Sequence, residues 1–433
     1  MREMKYSGVE WMEDIPASWN MIRFKDKYQS IKEIAGESSS EYERLALTLG
    51  GVIKRPKDDS EGLQPKAFDG YQILRENDFV FKMIDLQNVS TSRVGLSPYT
   101  GLVSPAYIRF CSKNKNQFNK FVYYYLMSMY YNCVFNSLGG DGVRSALNAS
   151  DMGMLMIPFP SEHEQMLIVE AIESQTDKVD ALIANQEAQI VKLKAYKQSL
   201  ITEVVTKGLD PNVPMKDSGA EWIEKIPEGW NAVPLKTLFD FGKGLPITKE
   251  NLVEEGIPVI SYGQIHAKWN SGVTIHEELK RFVNKEYLET NPSCLVKKGD
   301  FIIADTSEDR EGCGNAAYVD TDDTIFAGYH TVILISKKPN VDNKYLAYLF
   351  LTDAWRSQLR KRVSGIKVFS VSRKFLSETS VLIPDNASKM VELLDEKCSH
   401  IDKLIFIKQQ KIERLNQYKK SIIYEYVTGK KEV

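Results

Sequence analysis

The sequence predicts an α+β fold in which two pseudo-two-fold-related α/β domains are separated by a pair of long antiparallel coiled-coil helices. Three observations support this prediction. A short tryptophan motif occurs twice, and two long stretches without Gly or Pro repeat apolar residues at spacings of three and four. The segments between these elements mix strand-like alternation with shorter helical patterns, which is typical of an α/β domain.

The tryptophan motif is the clearest repeat in the chain. Residues 4–20 read MKYSGVEWMEDIPASWN and residues 215–231 read MKDSGAEWIEKIPEGWN, so that eleven of seventeen positions are identical. The linker that follows the first long helix corresponds to the place where the chain ends in the second copy and begins in the first. The two halves therefore have the order of a circle that is interrupted at one linker, and we expect the chain ends to lie close together.

The two long stretches predict helices that pack on each other. KLKAYKQSLITEVVT (192–206) corresponds to RLNQYKKSIIYEYVT (414–428). From 176 to 206 the pattern fits one helix of about 46 Å, and the circular order favours antiparallel packing of the two copies. A dimerisation coiled coil is the alternative. The a/d seam is Val179, Ile183, Ile190, Leu193, Leu200, Val204, Ile401, Ile405, Ile412, Leu415 and Ile422.

The segments between the repeats have diverged while keeping a common framework. LRENDFVF (74–81) still matches VKKGDFII (296–303), and NKFVYYYL (119–126) matches NKYLAYLF (343–350). A shared framework with different surfaces predicts two domains that bind different targets in the same way, although drift after an old duplication is an alternative. We expect α/β domains at 1–160 and, with the linker, 209–384, and spacer helices at 161–208 and 385–433.

Candidate nucleic-acid contacts are local clusters of Lys and Arg, because the net charge of −2 argues against a uniformly basic surface. Two pairs look equivalent between the copies: Arg144 with Lys367, and Arg93 with Arg310. Arg93 and Arg310 each lie two residues before a glycine. Solvated surface cations are the alternative for any single residue. The candidates are Lys54, Arg55, Lys57, Arg93, Lys113, Lys115, Arg144, Lys243 (in the run FGKGLP, interpreted as a loop), Arg310, Arg356, Arg360, Arg362 and Lys367.

The motifs of catalysis and metal binding are not found in the sequence. There is no P-loop, and the five cysteines are scattered without a Cys/His cluster. The N-terminus lacks an apolar signal segment, and the most apolar stretch, 121–134, is too short to span a membrane. The sequence therefore predicts a cytoplasmic binding protein with no catalytic residues, no metal site and no cofactor of its own.

In combination, these motifs resemble the specificity subunits of type I restriction–modification enzymes over essentially the whole chain. The pattern KxSGxEWxxxIPxxW occurs at 5–19 and 216–230, and GVRSALNASDMGMLMIPFPSEHEQ (142–165), LTLGGVIKR (47–55) and GIPVISYGQI (256–265) also resemble the family. The resemblance implies two target-recognition domains, each reading one half of a bipartite site in double-stranded DNA. It also implies two methyltransferase (modification) subunits docked on the helices and a restriction subunit, with S-adenosylmethionine, ATP and magnesium bound by those partners.

The same resemblance implies that partners dock near the joints between helices and domains. One departure is that PSEHEQ (160–165) is replaced by PDNASK (384–389) in the second copy, which predicts unequal docking ends. Two other functions remain as alternatives: an enzyme with its own specificity domains, for which the chain has no room, and a coiled-coil scaffold without DNA readout. The docking candidates are Trp11, Trp19, Trp222, Trp230, Glu164 and Gln165.

Overall fold

The computed structural model describes residues 2–59, 65, 67–84, 86, 93–115, 117–138, 146–338, 343–363 and 368–433. The chain forms two compact units, Met1–Glu187 with Gln409–Val433, and Ala188–Lys408. Each unit contains one tryptophan motif, one α/β domain and a segment of each of two long helices. This arrangement confirms the α+β class. The unit boundary runs through the helices, whereas the predicted domain boundaries lie at the helix ends.

The first half of the chain alternates short strands with a few helices and ends in a long helix. The two-stranded motif precedes the α/β domain, which runs from β3 to β12. In chain order the elements are β1 (Met4–Tyr6), β2 (Asp14–Pro16), β3 (Asn20–Arg23), α1 (Phe24–Lys27), β4 (Tyr28–Ser30), β5 (Arg44–Thr48), β6 (Gly51–Arg55), β7 (Gln72–Leu74), β8 (Phe79–Phe81), β9 (Val94–Leu96), β10 (Gly101–Val103), β11 (Ile108–Ser112), α2 (Lys120–Tyr131), α3 (Val134–Leu138), α4 (Ala149–Gly153), β12 (Met156–Phe159) and α5 (Glu162–Lys207).

The second half repeats this order with additional short elements. Its α/β domain runs from β15 to β26. The elements are β13 (Met215–Ala220), β14 (Ile223–Pro227), β15 (Asn231–Pro234), β16 (Phe239–Lys243), β17 (Ile257–Ile260), α6 (Tyr262–Ile265), β18 (Arg281–Val283), α7 (Tyr287–Thr290), β19 (Leu295–Val296), β20 (Phe301–Ala304), β21 (Thr306–Ser307), β22 (Ala316–Tyr318), β23 (Ile325–Ala327), β24 (Thr331–Ser336), α8 (Lys344–Phe350), α9 (Asp353–Arg360), β25 (Phe369–Ser370), α10 (Arg373–Glu378), β26 (Ser380–Ile383) and α11 (Ala387–Val427).

The two α/β domains have the same sheet topology. One sheet has the order β4-β11-β8-β9 in the first domain and β16-β24-β20-β22 in the second. The other has the order β6-β5-β10-β7 and β18-β17-β23-β19, with one parallel pair in each, β5 with β10 and β17 with β23. The runs Phe79–Phe81 and Phe301–Ala304 are entirely buried, because they are central strands covered on both faces.

Within each unit the helical segments run antiparallel. In the first unit, Asp180 pairs with Lys419 at 2.6 Å and the Gln175 amide donates to the Tyr426 hydroxyl at 2.5 Å. In the second unit, Lys197 pairs with Asp402 at 2.7 Å. Every predicted seam residue is buried or half-buried. The helix α5 has 46 residues, a length of roughly 69 Å. It extends beyond the seam pattern of 176–206 because its first turns pack on the α/β domain, and its bounds lie within the expected spacer helix of 161–208.

The tryptophan motifs pack against the C-terminal ends of the long helices. Trp230 packs with Val204 and Val205 near the end of α5, where Gly208 has a left-handed φ of 85°. In the first unit Trp19 packs with Val427 near the end of α11, followed by Gly429 with φ 68°. The Arg2 backbone amide donates to a Glu432 carboxylate oxygen at 3.1 Å, which confirms that the chain ends lie close together.

Neither membrane spans nor metal clusters are found in the described ranges. No helix there is long and apolar enough to cross a bilayer, and no group of three or more His, Cys, Asp or Glu side chains is arranged to hold a metal ion. All five cysteines are free thiols.

Candidate nucleic-acid interface

One end of the strands is built in the same way in both α/β domains, and we call it the shared edge. It contains the turns 75–78 and 297–300, where Asn77 and Gly299 have positive φ values of 64° and 95°. Asn119 donates its side-chain amide to the Asn77 carbonyl at 3.0 Å, and Asn343 does the same to Gly299 at 2.9 Å. The shared edge therefore belongs to the common framework of the two copies.

A buried carboxylate anchors each of these turns. Asp78 accepts the Arg75 backbone amide at 3.0 Å, and Asp300 accepts the Lys297 amide at 2.8 Å. Burial raises the pKa of both carboxyls above the usual range for Asp. Backbone amides and, at Asp78, the Arg109 guanidinium oppose that shift. These acidic groups thus fix the framework and are not available to a ligand.

The opposite edge differs between the domains, and we call it the divergent edge. In the first domain a two-residue turn, 49–50, joins β5 to β6. In the second domain the equivalent strands β17 and β18 are joined by residues 261–280, which include α6. The first domain's loop between β8 and β9 is only partly described, whereas its counterpart 305–315 is fully described. Surface variation on a fixed framework is concentrated at this edge, which makes it the candidate reading surface.

In the second domain the divergent edge contains an open cleft of about 560 Å³. His266 lies in its wall, where Nε2 donates to the Thr306 carbonyl at 2.8 Å and Nδ1 accepts from the Asn315 amide at 3.0 Å. Tyr262 stands edge-on to His330, with ring centroids 5.3 Å apart. Carboxylates and amides of this kind can form hydrogen bonds with exposed base edges, and aromatic rings can pack against them. Other lining residues are Glu308, Asp309 and Arg356.

Four of the predicted cations are exposed and have no ion-pair partner in the part of the chain that the structure describes. Lys243 ends β16 at the divergent edge, and Arg310 lies in the adjoining loop 305–315. Contrary to the loop interpretation of FGKGLP, its first three residues are in β16, because they pair with β24. Lys113 and Lys115 follow β11 and lie at the shared edge instead. Lys243 and Arg310 thus lie at the divergent edge of the second domain. Lys113 and Lys115 lie at the shared edge of the first domain.

The cluster at residues 54–57 is held by internal contacts. Lys54 pairs with Glu43 at 2.5 Å, Arg55 pairs with Asp59 at 2.5 Å, and the Lys57 ammonium donates to the Ser39 carbonyl at 2.8 Å. Exposed pairs of this type are weak, so phosphate could compete for Lys54, whose side chain is half exposed.

The cluster at residues 356–362 is also partly occupied. Arg356 donates Nε to the Phe350 carbonyl at 2.7 Å, and burial together with the nearby Arg360 lowers the pKa of Arg356 to about 10. Arg360 pairs with Asp353 at 2.8 Å and donates to the Glu311 carbonyl at 2.8 Å. Arg362 is exposed and lies 3.6 Å from a Glu378 carboxylate oxygen. Of the three predicted arginines in this cluster, Arg362 is the one most open to an added anion.

Arg93 cannot serve as a surface contact in this fold. Its side chain is 1% exposed, and its guanidinium donates to the Ile84 carbonyl at 3.0 Å. Its predicted equivalence with Arg310 is also wrong. In the sheets, Gly95 pairs with Val80 and Ala317 pairs with Ile302, so the counterpart of Gly95 is Ala317. The other predicted pair, Arg144 with Lys367, lies outside the described residues.

The six docking candidates are mostly structural. Trp19, Trp230 and Gln165 are buried, and this corrects the prediction that they face a partner. Trp11 packs against Tyr125 and Tyr424, with ring centroids 5.7 and 6.1 Å apart. The remaining two are occupied by internal bonds: the Trp222 indole donates to the Ser380 hydroxyl at 2.7 Å, and Glu164 pairs with Arg2 at 2.5 Å.

Two exposed lysines were missed by the sequence reasoning. Lys337 and Lys338 follow β24 as Lys113 follows β11, and both strands end in a serine, Ser336 and Ser112. Aligning the copies through NKFVYYYL and NKYLAYLF would have identified this equivalence. Both pairs belong to the shared edge, so neither distinguishes one domain from the other.

The comparisons with known proteins agree with this arrangement. The family model of the type I restriction modification DNA specificity domain matches residues 52–192 and 227–420. Among solved structures, a chain from a study of complex assembly and conformational transition of the type I R-M system has a TM-score of 0.66 at 14% identity. It covers 96% of this chain and 99% of that one, which supports the fold.

Two curated relatives come from Methanocaldococcus jannaschii. The type I restriction enzyme MjaVIII specificity subunit is 24% identical over 96% of this chain and 93% of its own length. The putative type I restriction enzyme MjaX specificity subunit is 22% identical over 96% and 94%. With the family model matched in both halves, these relatives confirm the resemblance drawn from the repeated motifs. The chain belongs to the family of type I restriction–modification specificity subunits, whose function is DNA target recognition.

Proposed function

We propose that each α/β domain reads one half of a bipartite target in double-stranded DNA, and that the helices hold the halves at a defined separation. The observation that carries this proposal is the contrast between the two edges. The same sheet topology and shared edge occur twice, while the divergent edge differs in loop length and composition. Two domains that share a framework but differ in their reading surface are expected to bind DNA in the same way and to recognise two different half-sites.

The divergent edge can be tested through Lys243 and Arg310. The double variant Lys243→Ala, Arg310→Ala should weaken binding of the full complex to its DNA target. If both side chains contact phosphates, the slope of log K against log salt should fall by about two. The matched control is Lys337→Ala with Lys338→Ala at the shared edge, which we expect to change the slope less. An equal effect of both variants would contradict the assignment of the reading surface to the divergent edge.

The spacing role of the helices leads to a length prediction. Removing one heptad from each helix, Gln186–Lys192 and Phe406–Ile412, shortens each by roughly 10 Å. The unspecified gap of the DNA target should then shorten by about three base pairs. The gap can be determined by selecting bound duplexes from a library with variable spacing. An unchanged gap in a folded variant would exclude the helices as the spacer.

We also propose that the helices dock two methyltransferase subunits, one on each unit, and that a restriction subunit completes the endonuclease. S-adenosylmethionine, ATP and magnesium would be bound by those partners. The solved chain with a TM-score of 0.66 comes from a study of complex assembly, which supports docking of this kind. Because most joint residues are internal to the fold, the docking surface must lie elsewhere.

The best docking candidate is a pair of matching stripes on the two helices. Tyr196, Ser199 and Glu203 lie along one face of α5 at spacings of three and four, and α11 repeats them as Tyr418, Ser421 and Glu425. The tyrosines are 59% and 54% exposed. Neighbouring exposed positions, such as Lys194 and its counterpart Asn416, differ between the copies. Five of the six side chains are exposed, and Glu425 is half-buried and accepts a hydrogen bond from Ser421. Identity at such positions favours one partner that binds twice.

Native mass spectrometry can count the docked subunits. Tyr196→Ala and Tyr418→Ala should each remove one methyltransferase subunit from the complex, and the double variant should remove both. The controls Lys194→Ala and Asn416→Ala should keep two subunits. If the tyrosine variants retain both subunits with unchanged affinity, the stripes are not the docking surface.

A further inference from the structure

Each α/β domain is joined to its long helix by the same polar contact. In the first unit the Lys120 ammonium lies 2.8 Å from a Glu173 carboxylate oxygen, and the Tyr124 hydroxyl donates to the same oxygen at 3.3 Å. In the second unit Lys344 lies 2.8 Å from Asp395, and the Tyr348 hydroxyl donates to that carboxylate at 2.6 Å. We call these two sets of residues the helix latches.

The latches occupy equivalent positions in the repeat. Lys120 and Tyr124 are the second and sixth residues of NKFVYYYL, as Lys344 and Tyr348 are of NKYLAYLF. Glu173 precedes the first seam residue, Val179, by six positions, and Asp395 precedes Ile401 by six. The second carboxylate is one methylene shorter, yet both the ammonium and the hydroxyl contacts are retained. The geometry of the latch has therefore been kept while one of its side chains changed.

The latch connects the framework of the sheet to the helix. The asparagine before each lysine, Asn119 or Asn343, bonds to the backbone of the shared edge. The next turn of the same helix carries the tyrosine. Burial and the adjacent carboxylate raise the pKa of this tyrosine above its usual value in both units. One short helix thus contacts the sheet at its N-terminus and the long helix along its side.

Stability alone does not account for this contact. The Lys120 and Glu173 side chains are 52% and 38% exposed, and those of Lys344 and Asp395 are 21% and 41% exposed. Ion pairs in contact with solvent contribute little to folding. The apolar cores under α5 and α11 already hold the domains to the helices. Apolar packing alone does not fix the angle between the domain and the helix. The hydrogen bonds and ion pair of the latch are directional, so they restrict rotation of the domain about the helix.

We propose that the helix latches are positioning elements that fix the orientation of each α/β domain on its helix and thereby restrict the accepted gap between half-sites. This inference rests on the proposed bipartite function. The latch residues do not touch DNA in this account. Their loss should broaden the accepted gap without changing the bases that each domain prefers.

The test uses the full chain in complex with its methyltransferase subunits. Duplexes carry the mapped target with its natural gap, or with a gap one base pair longer or shorter. For Glu173→Gln and Asp395→Asn, the ratio of Kd for altered gaps to Kd for the natural gap should fall about two- to fivefold per latch. Base preferences within each half-site, measured by single substitutions, should remain those of the unaltered protein.

Two kinds of control separate positioning from a general defect. Glu170→Gln and Glu396→Gln change exposed carboxylates on the same helices, neither of which bonds to an α/β domain within the described ranges. They should leave the gap ratio unchanged. Glu173→Asp places the second latch's carboxylate in the first latch and should preserve the ratio better than Glu173→Gln.

Three outcomes would overturn the inference. Equal weakening for all gaps, with an unchanged ratio, would show a merely structural contact. Full retention of both affinity and ratio in the double latch variant would show no role. A continuous target for the unaltered protein would refute the bipartite function itself, and it would be seen before any latch variant is made.

Discussion

At the residue scale, burial decides which charged side chains can take part in recognition. The sequence identifies Arg93 and Lys243 as equally good candidates, but one is buried beside the Ile84 carbonyl and the other is exposed at a strand end. Local sequence does not distinguish them, since both lie in short strand-like segments with nearby glycines. Both residues lie at the outer strand of a four-stranded sheet, β9 or β16, so the distinction arises from what packs over each side chain, and that depends on long-range contacts.

The clearest structural cation is Arg109, which the sequence reasoning did not single out. It bonds to Asp78 at 2.6 Å, Glu33 at 2.9 Å and the Ile73 carbonyl at 2.6 Å, and its side chain is 3% exposed. Arg109→Leu should destabilise the first unit by about 3–5 kcal/mol, because it leaves the buried Asp78 carboxylate without its partner. Denaturant unfolding should show this loss, and Arg23→Leu, at an exposed pair with Asp26, should show little. Comparable losses for both would contradict the assignment.

Cysteine reactivity should follow burial and pKa. Burial raises the pKa of Cys398 to about 11, whereas Cys133 is exposed. Because the thiolate is the reactive form, its fraction at Cys398 rises about tenfold per pH unit and reaches half only near pH 11. Iodoacetamide at pH 8 should therefore alkylate Cys133 well before Cys398, as peptide mass spectrometry can measure. Early labelling of Cys398 in folded protein would contradict this burial.

At the scale of elements, the heptad pattern identified the helices where they pack on each other, and the spacer helices were expected over the longer ranges 161–208 and 385–433. The seam pattern covers 176–206, but α5 begins at Glu162. Residues Ile168, Val169 and Ile172 are buried in the first domain's core, and Met390 and Leu394 are buried in the second. These turns continue the seam at the same spacings, through Val169, Ile172 and Thr176 to Val179, and their buried side chains belong to the core of the α/β domain.

The tryptophan motifs were correctly predicted as repeated elements, but their role was misjudged. Sequence alone cannot tell whether an indole faces a partner or the end of the chain's own helix. Both Trp19 and Trp230 fill the space beneath a helix terminus, with a positive-φ glycine following each helix. The glycines after the two helices were the available signal for this role, since a left-handed residue there ends a helix.

Trp19 should therefore act on stability. Trp19→Ala removes a fully buried indole that stands edge-on to Phe121, with ring centroids 5.9 Å apart, and should cost about 3–5 kcal/mol. Trp269→Ala, at a tryptophan that is 53% exposed, is the matched control and should cost far less. Denaturant unfolding measures both. Normal stability of Trp19→Ala with lost partner binding would instead restore the docking interpretation.

At the scale of the whole molecule, the circular order of the repeat agrees with the contacts at the chain ends. The ion pair between Arg2 and Glu164 joins the N-terminal segment to the start of α5. The ion pair between Lys430 and Glu13, at 3.7 Å, joins the segment after α11 to the tryptophan motif. In the second unit the corresponding motif follows its helix through the linker 208–214. Fold class and repeat order were thus predictable, while the divergent loops were not, because they have no repeat partner.

A circular permutant should therefore fold. It would begin at Met215, join Val433 to the original N-terminus through the sequence GLDPNVP (208–214), and end at Lys207. The contacts at the original chain ends are retained, and the cut removes only the linker's contacts, such as those of Gly208 with Val204 and of Pro214 with Glu228. The melting temperature of the permutant should therefore lie within about 5 °C of that of the parent chain. Calorimetry measures this difference. A permutant that is unfolded under the same conditions would contradict the equivalence of the two junctions.

The central claim is that two units read two half-sites, and mapping methylated bases across the host genome tests it most directly. The map should show one motif with two specified blocks and an unspecified gap, absent from a strain that lacks the gene. In a strain carrying Lys243→Ala with Arg310→Ala, any positions of the motif that lose their base preference should lie in one block only. A continuous motif, or equal relaxation of both blocks, would contradict the account.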